Sequence, residues 1–77
     1  MKKKISQENK KKLEAIAYYF RELRFSEGLT QSEVCENVNL HPNTIARMEN
    51  GHNMTLLSLF ALCDFYGVTL NEIINDQ

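Results

Sequence analysis

Residues 28–51 read GLTQSEVCENVNLHPNTIARMENG, and the helix starts and stops in this stretch decide the fold. Gly28 stands where a left-handed residue closes a preceding helix, because glycine takes positive φ without steric cost. Thr30 and Glu33 then make a T-x-x-E capping box, with hydroxyl and carboxylate each accepting from the other residue's amide. Such a cap contributes about 1 kcal/mol and sets where a helix begins. The helix is expected over residues 31–37, burying Val34, Cys35 and Val38, and its shortness makes it dependent on tertiary support. His41-Pro42 announces the next one, since proline holds its predecessor extended and is itself pre-set for the first helical position. That helix should start at Pro42, turn Ile45 and Met48 inward and end near Asn50-Gly51. In the turn at residues 38–41, Asn39 takes the positive φ that Asn tolerates best after Gly.

Outward from this centre the pattern stays helical. Towards the amino end, Leu13, Ile16, Phe20 and Leu23 recur at three- and four-residue steps, which predicts a first helix from about Asn9 to Ser26 or Glu27. Residues 1–8 read as a flexible basic tail, and residues 9–77 as the domain. Towards the carboxyl end, a fourth helix is expected over residues 55–66, stopped by Gly67, and a short fifth over residues 69–75 with Leu70, Ile73 and Ile74 apolar. No segment alternates with period two, so the fold class is all-α, and 77 residues leave no room for a second core.

The fourth helix carries a surplus of apolar side chains. Only Thr55, Ser58 and Asp64 are polar among its twelve residues. Leu56, Leu59, Cys63 and Tyr66 are expected to face the core, while Leu57, Phe60 and Ala61 form a second stripe the core does not need. A second copy of the chain is the expected cover, making Leu57, Phe60, Ala61 and Ile74 a homodimer interface. The competing arrangement folds the first helix over this stripe, with Tyr18, Tyr19 or Phe25 as cover.

Charge and cysteine usage narrow the partners. The net charge is −1, but residues 1–24 hold eight cations against three acids, +5, and residues 25–77 hold Arg47 alone against seven acids, −6. Cys35 and Cys63 each fall in an apolar periodic stretch and read as buried free thiols of a cytoplasmic protein. With His41 and His52 they make no metal-binding spacing, so no metal or other cofactor is expected. The basic start has no apolar stretch behind it, unlike a secretory signal, and no run reaches the length of a membrane span. No Gly-rich phosphate loop or paired carboxylates point to an enzyme, and no small-molecule substrate is evident.

Two short helices joined by a four-residue turn have the geometry of a DNA-binding pair, in which the second helix offers its outer face to the major groove. On that face Asn43 and Arg47 are four residues apart; Asn pairs bidentately with adenine and Arg with guanine, at about 1–3 kcal/mol of discrimination each. Together with FRELR at residues 20–24 and TLLSLFALCDFYGVTLNEII at residues 55–74, the stretch resembles the phage repressor and Cro-like (XRE-type) family of helix-turn-helix regulators. The resemblance implies a compact five-helix domain of the lambda-repressor kind. It also implies a transcriptional regulator, with repression the expected direction, that binds a palindromic operator in double-stranded DNA as a homodimer. Carried over by position, Pro42, Asn43, Ala46 and Arg47 would read bases, Gln31, Thr44, Asn50 and His52 would lie at phosphates, and Arg24 and Glu49 would form a structural ion pair.

The chain departs from the family pattern in three places. His41 replaces the usual Ser or Thr cap and is expected to weaken it; Pro42 replaces a polar base reader; and His52-Asn53 stand where Lys or Arg is common. The acidic body and the missing loop cations also suit a rival reading: an antitoxin-like or other protein-interaction module on the same fold, with weak or no DNA binding.

Overall fold

The structure, a computed structural model, describes residues 6–75. Five helices follow in chain order: α1 (Gln7–Ser26), α2 (Gln31–Val38), α3 (Pro42–Glu49), α4 (Leu56–Tyr66) and α5 (Leu70–Asn75). There is no strand among the described residues, and the all-α, five-helix expectation is met.

α1 begins at Gln7, two residues ahead of the expected start, because the Ser6 hydroxyl accepts from the Asn9 amide at 3.0 Å and caps the helix there. Residues 6–8, expected in the flexible tail, therefore belong to the cap and first turn, and residues 1–5 of that tail lie outside the described residues. α1 ends in a Schellman motif: the Leu29 amide donates to Arg24 and the Gly28 amide to Phe25, with Gly28 at φ +67°. The Thr30–Glu33 capping box is complete, at 3.1 Å and 2.8 Å, and α2 runs one residue past its expected end, to Val38. Thr69 and Glu72 repeat the same reciprocal cap at the start of α5.

The core gathers Phe20 of α1, Val34 and Cys35 of α2, Ile45 and Met48 of α3, Leu59, Leu62 and Cys63 of α4, and Ile73 of α5. Leu13, Ile16, Leu23, Val38 and Tyr66, expected inside, are partly buried around it. Leu56 corrects the expectation: it is 65% exposed, and the inner stripe of α4 is Leu59, Leu62, Cys63 and Tyr66. Leu56 is the first residue of its helix, and helical side chains lean towards the amino end, so this one projects off the tip. Met54, before the Thr55 cap, packs against the core in its place, with Leu59 four positions beyond the cap, as in a hydrophobic staple. Tyr19 is half-buried against the core, while Tyr18 and Phe25 stay exposed, as do Leu57, Phe60 and Ile74. The outer stripe of α4 is therefore bare in the single chain, with Ala61 half-buried beside it.

Candidate nucleic-acid interface

The interface is built where α2 turns into α3. Asn39 takes φ 56° and ψ 41°, the left-handed conformation expected of it, and its amide closes α2 on the Cys35 carbonyl at 3.0 Å. The chain reverses here because Asn accepts this conformation at less cost than a bulkier or β-branched residue. His41 supplies the cap of α3. Its Nδ1 accepts from the Asn43 amide at 3.0 Å, which satisfies one of the first amides of α3 and leaves the ring proton on Nε2, the atom farther from the helix. Pro42 follows at the first helical position, where no amide is needed.

α3 is strongly two-faced. Ile45, Met48 and Glu49 are buried, while Pro42, Asn43 and Arg47 are exposed and Thr44 and Ala46 half-buried. Asn43 and Arg47 sit one turn apart on the outer face, close enough for adjacent base pairs. Arg47 lies in the last turn of α3, where the helix dipole favours a cation. α3 ends in another Schellman motif: the His52 amide donates to Arg47 at 3.0 Å and the Gly51 amide to Met48 at 3.4 Å. This motif leaves Asn50 and His52 exposed at the end of the helix.

Glu49 holds the pair of helices in place. Its carboxylate accepts from Arg24 Nε at 2.9 and 3.1 Å, from Arg24 Nη2 at 3.0 Å, and from Gln31 Nε2 at 3.1 Å. Arg24 also donates to the Leu29 carbonyl at 2.9 Å, with its guanidinium 4.7 Å from the centre of the Phe25 ring. The fork-shaped pairing with Glu49 raises the Arg24 pKa above the ordinary guanidinium value. Removing one partner of so desolvated a pair strands the other charge, at about 3–5 kcal/mol. One carboxylate thus ties together α1, α2 and α3 and fixes the angle at which α3 presents its outer face.

Two contacts at this centre were not visible from spacing. Gln31, expected at a phosphate, is half-buried and spends one amide proton on Glu49, 18 residues away. Its second proton and the unpaired amides of the first turn of α2 remain for a ligand. Arg21 donates to the Glu49 backbone carbonyl at 3.0 Å and tethers the end of α3; its place three residues before Arg24, on the same face of α1, was the available clue.

A model of the helix-turn-helix family matches residues 20–73, which takes in all of α2, α3 and α4. Searches of curated proteins and of solved structures find no match. The matched segment carries the capped α2, the left-handed Asn39 turn, the outward face of α3 and the buried Arg24–Glu49 pair just described. On that ground the chain belongs to the Cro/C1-type helix-turn-helix family of DNA-binding regulators.

Proposed function

We propose that this chain is a sequence-specific transcriptional repressor that binds a palindromic operator as a homodimer, inserting α3 into the major groove of each half-site. The observation that carries the reading is the bare outer face of α3, with Asn43 and Arg47 solvent-exposed one turn apart while Ile45 and Met48 anchor the opposite face in the core. In this reading Pro42, Asn43, Ala46 and Arg47 face base edges, Arg47 taking a guanine, Asn43 an adenine and Ala46 a thymine methyl. Gln31, Thr44, Asn50 and His52 lie at phosphates, where they set register rather than sequence. Repression is the direction proposed, because blocking a promoter requires only occupancy of the DNA.

The second half of the reading rests on α4. Leu57 is 78% exposed, and with Phe60, Ala61 and Ile74 it forms the surface assigned to the second copy, which Leu56 extends. Two-fold symmetry would hold the two α3 helices about one DNA turn apart, roughly 34 Å.

Selection of bound duplexes from a random pool tests both halves. The expected product is a palindrome, and Arg47→Ala should relax preference at one base pair per half-site, costing about 1–3 kcal/mol there, with the thermal midpoint nearly unchanged. A folded dimer that enriches no sequence would instead favour a module that docks to a protein, and an unfolded Arg47→Ala variant would make that residue structural.

A further inference from the structure

We infer that the first two turns of α1 extend the DNA interface, with Lys10 and Lys11 contacting the sugar-phosphate backbone beside the groove that α3 enters. The inference rests on the reading of α3 as the groove-binding element. It starts from Gly51, in the turn that closes α3. A Cβ built there would lie 3.0 Å from Glu14 Cγ and 3.4 Å from Glu14 Cα, so α1 passes directly against the end of the recognition helix. At about 100° per residue, Lys10 and Lys11 project within about 40–60° of the Glu14 direction, one turn nearer the amino end. Lys12 points about 160° away. The face of α1 that meets the loop after α3 is therefore continued by two lysines.

Three further observations give these lysines a role. Both are exposed, and among the described residues the ion pair is Arg24–Glu49, which leaves their ammonium groups without a carboxylate partner. The adjoining loop, Asn50 to Met54, carries no Lys or Arg, and Arg47 is the one cation after residue 24, so the interface is otherwise poor in charge for a polyanion. Glu8 and Glu14 stand three or four residues from these lysines, but such exposed spacings contribute only about 0.2–0.5 kcal/mol each, and cations near the positive end of a helix dipole offset that, so the intrachain benefit of the run is small. Residues 7–19 precede the segment matched by the family model, so that pattern does not account for them. A polyphosphate backbone supplies the missing counter-charge, and a lysine side chain has the reach to meet it across a loop.

The test compares the full chain with Lys10→Gln/Lys11→Gln and with Lys12→Gln, using a random-sequence duplex and a duplex selected from a random pool. Removing one lysine from a phosphate should lower the salt slope by about 0.9, so the double variant should lose about 2 in slope and up to about sixtyfold in affinity at about 0.1 M salt. Lys12→Gln should change the slope by less than about 0.5. Circular dichroism should show all three chains equally helical. An unchanged slope in the double variant, or an equal effect from Lys12→Gln, overturns the inference while selective binding by the unaltered chain leaves the reading of α3 standing. A folded chain that binds neither duplex removes both.

Discussion

The Tyr66 ring stacks 6.1 Å from that of Phe20, centroid to centroid, and burial pushes its phenol from an ordinary pKa of 10.0 up to about 12. Below pH 10 the folded and unfolded chains both keep this proton. Between pH 10 and about 12 the unfolded chain releases it first, so unfolding gains and stability falls across that window. The urea midpoint should therefore drop as pH rises from 10 to 12, and Tyr66→Phe should remove the part of the drop owed to this ring; an identical profile in the variant would show that the phenol is not held this way. Cys35 and Cys63 follow the same physics, since burial pushes both thiols up and suppresses the reactive thiolate. At this scale local chemistry was readable from the chain, as with Thr30, Glu33 and Asn39, whose bonds reach only three or four residues. The Gln31–Glu49 bond was not, because neither residue type nor spacing indicates which of several acids an amide will meet across 18 residues.

Helix ends show the same division one scale up. Gly28 and Gly51 both close helices at positive φ, 67° and 81°, and both were expected as stops. Their surroundings differ: a Cβ at Gly28 would meet nothing within 4 Å, whereas one at Gly51 would press on Glu14. Gly28→Ala should cost about 1–2 kcal/mol, the price of the left-handed conformation alone. Gly51→Ala should cost about 1 kcal/mol more, because α1 must also give way. Denaturant unfolding of the two variants measures the difference, and equal costs would mean that α1 yields freely at Glu14. Helix identity is legible from apolar spacing and caps, but the inward face of α4 is not, since Leu56 follows the apolar spacing and yet is exposed. Periodicity places a residue on a face; it does not say that the helix begins at that residue and leaves it overhanging the core, with Met54 filling the space.

Over the whole molecule, the asymmetry of charge and the bare apolar stripe lie on different elements: the lysines on the first turns of α1, the stripe on α4 with Ile74 of α5. Such a separation suits a dimer that meets its copy through one surface and a polyanion through another. Phe60→Arg should give a folded monomer, since Phe60 is 47% exposed and its loss leaves the core intact. Operator affinity should fall by roughly 100-fold or more, because the second half-site is no longer tethered. Sedimentation of the two proteins checks the first outcome and titration of the selected duplex the second. A Phe60→Arg variant that remains dimeric would take this residue out of the interface.

By itself the amino-acid order determined where helices start and stop, because caps, prolines and left-handed residues act through bonds a few positions long. It also determined which faces of α1, α2 and α3 are apolar, and so the five-helix fold and the outward Asn43–Arg47 pair. Only the tertiary structure decided that Glu49 gathers Arg24 and Gln31, that α1 rests on Gly51, and that Leu56 is left in water. These depend on the distance and angle between elements far apart in the chain, and side-chain shape across the core sets those after the local rules are satisfied.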